Sequence, residues 1–266
     1  MTLDQSRRTT FDEAARTYDE ARPGYPEQLV EDVIALSGIP RGGRILEVGC
    51  GPGTATLPFA RRGYAMLCLD LGAELVALAR EHCRPYPRVE VRQGAFEDWP
   101  LEARAFDLLI SAQAWHWIPP EVGYARAAAA LKDTGALALV WNHSPRPETP
   151  LFCEIARVYR ERAPQMSGSG SQPTLDELVQ RRVVELDDCG LFDSVQVRRY
   201  PWTERYTADQ YVKLMHTYSD HVKLAPDVFR HLCAGVHEVI ERFGGVVDRP
   251  YVAMLYVARR REERAE

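Results

Sequence analysis

The sequence predicts an α/β domain on a mostly parallel sheet, and three observations carry that reading. Arg44–Val48 is a short apolar run, Gly49–Gly53 is glycine-rich, and an apolar helical pattern opens at Ala55, which together make half of a βαβ unit. Further strand-like runs follow at Tyr64–Leu69, Val89–Arg92, Phe106–Ser111 and Gly135–Trp141, most of them separated by helical patterns. Asp70 closes the second run, 21 residues beyond Gly49, where an acidic side chain can accept hydrogen bonds from a ribose.

Composition bounds the rest. The 266 residues are 45% hydrophobic and 27% charged, enough for one large domain or a core with a small appendage. A net charge of −5 leaves no basic footprint for nucleic acid. The run Arg259-Arg260-Arg261 is followed by Glu262, Glu263 and Glu266, which reads as a solvated end. No apolar run approaches the roughly 20 residues of a membrane span. The N-terminus has no signal-like apolar region, so a cytoplasmic location is expected. The six cysteines, Cys50, Cys68, Cys83, Cys153, Cys189 and Cys233, lack metal or disulfide spacing and read as small buried hydrophobes. No metal is expected.

The glycine turn suits two ligand classes, because glycine lets backbone N–H groups approach a ligand closely. Dinucleotide enzymes use G-x-G-x-x-G, but the third glycine would fall on Thr54. Here Glu47 precedes Gly49, Gly51 and Gly53, and its carboxylate at the strand end would welcome a cation. This E-x-G-x-G-x-G resembles the first motif of class I S-adenosylmethionine (SAM)-dependent methyltransferases. Phe11, Tyr18, Arg22-Pro23 and Tyr25-Pro26 look like the N-terminal signature of the small-molecule, trans-aconitate methyltransferase-like group. Gly94-Ala95-Phe96-Glu97-Asp98-Trp99-Pro100 resembles its G-D-A-E-D-L-P motif, with Ala95 where an adenine-binding Asp often stands. Lys132-Asp133-Thr134-Gly135 is similar to its L-k-p-G-G lead-in.

The resemblance implies a Rossmann-like seven-stranded sheet whose last strand is antiparallel. Residues 1–266 form one domain: a helical lid over 1–40, a SAM-binding core over 41–142, and a C-terminal half over 143–266 with substrate-capping helices. Gly49, Gly51 and Gly53 would cradle the methionine end, and Asp70 the ribose. Leu71 would border the adenine, with the Phe96 backbone or Glu97 replacing the missing Asp contact. Tyr18, Arg22, Glu47 and Gln113 join the cofactor set, Arg22 as a fixed charge for a carboxylate.

Along the chain, Phe11–Ala21 reads as a helix stopped by Arg22-Pro23-Gly24, and a second helix runs from Pro26 to Gly38. Residues 112–117, after the fourth strand, fall at the carboxyl edge of the sheet where ligands of open α/β folds sit. In that loop Trp115 and Trp117 flank His116. His116 is the candidate general base and His143 a weaker one. Trp115, Trp117, Trp141, Tyr25 and Tyr218 are expected to face the substrate. Gln165–Pro173 is a low-complexity stretch expected to be a mobile loop. A sixth strand is expected from Val195 to Trp202 and a seventh from Tyr251 to Val257, with a helical insert between them. The expected activity is SAM-dependent methyl transfer to a small molecule, by O-methylation and favouring a carboxylate. An NAD-dependent oxidoreductase and a non-catalytic SAM-binding protein remain the alternatives.

Overall fold

The computed structural model describes residues 15–166 and 173–261. Phe11 and Ala14 of the leader, most of the Ser/Gly-rich stretch and the acidic end of the tail lie outside the described residues.

The described chain opens with helices α1 (Ala15–Ala21) and α2 (Glu27–Ser37). The alternating core follows as β1 (Arg44–Val48), α3 (Thr56–Arg61), β2 (Ala65–Asp70), α4 (Ala73–Cys83), β3 (Val89–Gln93), β4 (Phe106–Ala112), α5 (Pro120–Ala130) and β5 (Leu131–His143). The C-terminal half adds α6 (Pro150–Arg162), α7 (Leu175–Asp188), β6 (Phe192–Thr207), α8 (Ala208–Met215), α9 (Ser219–Val222), α10 (Pro226–Arg242) and β7 (Val246–Arg260).

The seven strands form one sheet in the order β3-β2-β1-β4-β5-β7-β6. β1 to β5 pair in parallel, and β7 inserts antiparallel between β5 and β6. The predicted architecture is therefore the observed one, including the antiparallel last strand and the helical insert α8–α10 before it.

Apolar runs, not alternation, mark the central strands because both sheet faces are covered. Ile45, Met66, Cys68, Leu108 and Ile110 point to one face and pack with α2, α3 and α4 through Val33, Phe59 and Val76. Leu46, Leu67, Leu69 and Leu109 point to the other, with Tyr124 and Ala127 of α5 and Leu186 of α7. A third apolar cluster ties α6, α8 and α10 together and takes in Ala21 of α1. Helix ends follow local chemistry. Gly38 closes α2 in the left-handed conformation, and Thr174 with Glu177 and Thr207 with Gln210 form capping boxes on α7 and α8.

Two expectations are corrected. The basic run near the end is not a solvated tail. It continues β7, where Arg259 donates to the Leu36 and Thr134 carbonyls and Arg260 is buried against Asp133. All six cysteines are free, but Cys153 is exposed, because it lies on the outward side of α6. Among the described residues no helix is long and apolar enough to cross a membrane.

Candidate active site

Parallel pairing brings the ends of β1, β2, β4 and β5 to one edge. The strand order changes direction between β1 and β4, so a crevice opens there. The glycine turn forms its floor. Gly49, Gly51 and Gly53 have φ of 72°, 55° and 96°, a region that favours glycine. A Cβ on Gly49 would stand 2.2 Å from the Cβ of Ala114, so only glycine lets the turn and the post-β4 loop meet. Nothing lies within 4 Å of a Cβ built on Gly51, whose bare backbone faces the open cleft. Gly53 instead sits over Ala79 of α4 and lines neither end of the cleft.

Asp70 fixes this turn. Its Oδ2 accepts from Gly51 N at 2.8 Å and its Oδ1 from Gly72 N at 2.9 Å. Glu47 is 1% exposed and accepts from the Thr56 hydroxyl at 2.6 Å and, weakly, from the Cys68 thiol. Burial pushes its pKa up to about 7, against the pull of those two bonds. It borders the cleft beside Gly49.

One end of the cleft has the shape and chemistry of a nucleoside site. Asp70, Leu71, Leu75, Phe96, Trp117 and Ile118 line it, a carboxylate among apolar walls. Gln113, with a left-handed φ of 60°, lines both ends. Its amide donates to the Asn142 carbonyl. Glu97 does not line the cleft.

The other end is polar and cationic. Tyr18 and Arg22 from the leader border both ends, and Tyr25 borders this one. Arg22 donates to the Thr217 carbonyl at 2.7 Å, and its guanidinium lies 4.9 Å from the ring centres of both Tyr18 and Tyr218. The Arg22 Nε is buried without a hydrogen-bond partner. Asn142, at the end of β5, donates to the Gly24 carbonyl and accepts from Trp202 Nε1, which ties the leader to β6. Ser144, Arg249 and Tyr251 complete this wall, and sequence reasoning did not find them. No motif marks them. The available signal was the two-residue spacing of Arg249 and Tyr251 at the start of a strand, which puts both on one face.

The Trp-His-Trp loop divides differently from expectation. Trp117 borders the nucleoside end, with its ring 4.8 Å from that of His116. Trp115 is 2% exposed and packs on Phe96 and Tyr124, so it belongs to the core, not the substrate wall. Trp141 is also buried, edge-on to Tyr256 and beneath the Arg182 guanidinium. Its indole N–H donates to His116 Nδ1 at 3.2 Å. An indole can only donate, so Nδ1 is the unprotonated nitrogen and Nε2 carries the hydrogen. His116 therefore has no free basic nitrogen, which argues against the general-base role. The residue is exposed, and desolvation around the imidazole, with Arg182 adding to it, lowers its pKa. His143 borders the polar end, and burial lowers its pKa.

This arrangement fits SAM better than a dinucleotide. A guanidinium with an orphaned Nε stands near the turn, where a methionine carboxylate could sit. The Glu47 carboxylate beside Gly49 is a poor setting for a pyrophosphate, whereas Asp70 suits the ribose of either ligand.

Comparison with known proteins agrees. Residues 45–135 match the family described as a methyltransferase domain. A methyltransferase-like protein of Schizosaccharomyces pombe is 25% identical over 252 residues, 93% of this chain and 92% of that one. A trans-aconitate 2-methyltransferase of Mycobacterium tuberculosis is 31% identical over 98 residues, 36% of this chain and 35% of that one. The chain spans about half the length of the mycobacterial methyltransferases it also matches. Among solved structures, phosphoethanolamine N-methyltransferase 2 of Haemonchus contortus, in complex with SAM, superposes with a TM-score of 0.57 at 16% identity. That match covers 98% of this chain and 60% of that one. Residues 45–135 are thus similar to a methyltransferase domain, and the sheet order and glycine turn accord with the class I SAM-dependent type.

Proposed function

We propose that the chain transfers a methyl group from SAM to a small-molecule acceptor in the cytoplasm, by O-methylation, with a carboxylate oxygen favoured. One observation carries this reading. The nucleoside-shaped end of the cleft opens directly into a polar end through Gly49, Gly51, Gln113, Tyr18 and Arg22. When bound, SAM supplies a methyl group already activated on a sulfonium. The protein's part is to align and to exclude water. Asp70 would orient the ribose, Phe96 and Leu71 the adenine, and Arg22 the methionine carboxylate. Tyr18 and Tyr25 would close over the cleft. A carboxylate acceptor needs no base, which accords with the committed nitrogens of His116. For a hydroxyl acceptor, His143, which lines the polar end, would take the proton.

A thermal-shift series with SAM, S-adenosylhomocysteine and NAD tests the cofactor directly, because a ligand that binds only the folded state raises Tm. SAM and S-adenosylhomocysteine should stabilise the protein and NAD should not. Stabilisation by NAD alone would return the chain to the oxidoreductases.

A further inference from the structure

We propose that Arg249 is an anion anchor for the acceptor, so that the molecule methylated carries an oxyanion group seated against this guanidinium. The inference deepens the methyltransferase reading and rests on it.

Arg249 stands near the start of β7, on the wall of the acceptor end. Its Nε donates to Ser144 Oγ at 2.8 Å and its Nη1 to the Tyr211 hydroxyl. Among the described residues no acceptor takes Nη2, and no carboxylate lies within ion-pairing distance of the guanidinium. The adjacent acid, Asp248, is exposed and pairs with Arg205. What surrounds Arg249 is aromatic. Its guanidinium carbon is 5.3 Å from the ring centre of Tyr211, 5.7 Å from Tyr218 and 5.6 Å from Tyr251. Burial raises the pKa of the Tyr211 and Tyr251 phenols, so these neighbours stay neutral and cancel no charge.

A guanidinium drawn out of water normally has an anion beside it, because desolvating an unpaired charge is costly. Here two neutral acceptors fix its fork and leave the charge uncompensated, a setting suited to a visiting carboxylate or phosphate. Arg22 is the second cation of the cleft, and both guanidiniums lie over Tyr218. They differ in reach. Arg22 borders both ends of the cleft, as a partner of the cofactor carboxylate must. Arg249 borders only the acceptor end. The carboxylates at the floor are engaged elsewhere, Glu47 by Thr56 and Asp70 by the glycine turn. Two cations of different reach imply two anions, one on the cofactor and one on the acceptor.

The test uses the full chain saturated with S-adenosylhomocysteine. Benzoate, citrate and inorganic phosphate are titrated by calorimetry at constant ionic strength, with benzamide as the neutral control, into wild type, Arg249→Gln and Arg249→Lys. At least one anion should bind wild type, benzamide should not, and Arg249→Gln should weaken that anion at least tenfold with S-adenosylhomocysteine affinity unchanged. Arg249→Lys keeps the charge but not the fork and should fall between. If Arg249→Gln does not fold, the Arg249→Lys loss alone decides. Carboxylates binding without phosphate would make the acceptor a carboxylic acid, and the reverse a phosphate ester. Anion binding that ignores both substitutions, or no anion binding at all, overturns the proposal. So does a loss confined to S-adenosylhomocysteine affinity, which would give Arg249 to the cofactor. If wild type fails to bind S-adenosylhomocysteine, it is the underlying methyltransferase reading that has failed.

Discussion

His116 shows how a residue's partners outweigh its position. The sequence places it in the right loop, at the carboxyl edge of β4, with aromatic neighbours. The structure gives its Nδ1 to the Trp141 indole and thereby leaves Nε2 protonated. A general base is worth about 10²- to 10⁴-fold in rate. His116→Gln should accordingly keep methyl transfer within a few-fold of wild type, measured as kcat on whichever acceptor a labelled-SAM screen identifies. A loss of 10²-fold or more would restore the base role. Glu47 and Asp70 were expected at the cleft and both line it, because Asp70 ends β2 and Glu47 stands one residue before the end of β1, beside the glycine turn. Less visible was how much of their hydrogen-bonding is structural. Asp70 holds Gly51 and Gly72, and Glu47 is held by Thr56.

At the scale of elements, the central strands β1, β2, β4 and β5 could be read because each is a largely apolar run buried on both faces, and the edge strand β3 because Val89 and Val91 alternate with Glu90 and Arg92. β6 and β7 were read too short. Their exposed and half-buried ends, as in Thr203–Arg205 and Val246–Pro250, carry polar residues that look like loop when the pairing partner is unknown. The leader is the element on which the most function rests. α1 packs Ala15 and Tyr18 on Leu75 and Leu78 of α4, and Glu20 pairs with Lys213 of α8. It thus bridges the nucleotide-binding half and the C-terminal helices. We expect it to tighten over bound cofactor. Deleting residues 1–25 should leave a folded core that binds S-adenosylhomocysteine weakly and transfers methyl poorly. Hydrogen exchange in the intact chain should show Tyr18–Tyr25 more protected with S-adenosylhomocysteine than without. Equal protection in both states, with full activity of the shortened chain, would make the leader only a packed helix.

At the scale of the molecule, the acceptor end is assembled from parts far apart in sequence: the leader, the glycine turn, the end of β5 with Ser144, Tyr218 before α9, and the start of β7. That dispersal hid Ser144, Arg249 and Tyr251, because no local spacing links them. The same region sets an acid limit on stability. His221 is 8% exposed, and its Nε2 shares a 2.7 Å hydrogen bond with the Tyr159 hydroxyl. Burial, with Arg249 adding to it, lowers its pKa to about 4, against the opposing pull of Asp220. The unfolded chain therefore takes up this proton first as pH falls. Stability from neutral His221 is complete above about pH 6.5 and drains away toward pH 4, on the order of 3 kcal/mol in all. Tm measured across that window should fall less steeply in His221→Phe than in wild type. Parallel curves would mean that His221 titrates normally.

The central claim is that Asp70 and the glycine turn hold the ribose and methionine end of SAM. Calorimetric titration of S-adenosylhomocysteine into wild type and Asp70→Asn tests it most directly. Asparagine keeps the size and one acceptor oxygen, so the turn should survive better than with alanine. Removing the charged acceptor should weaken binding by about 1.5–3 kcal/mol, or roughly 10- to 150-fold. Equal affinity in the two proteins, with wild type binding well, would contradict the assignment.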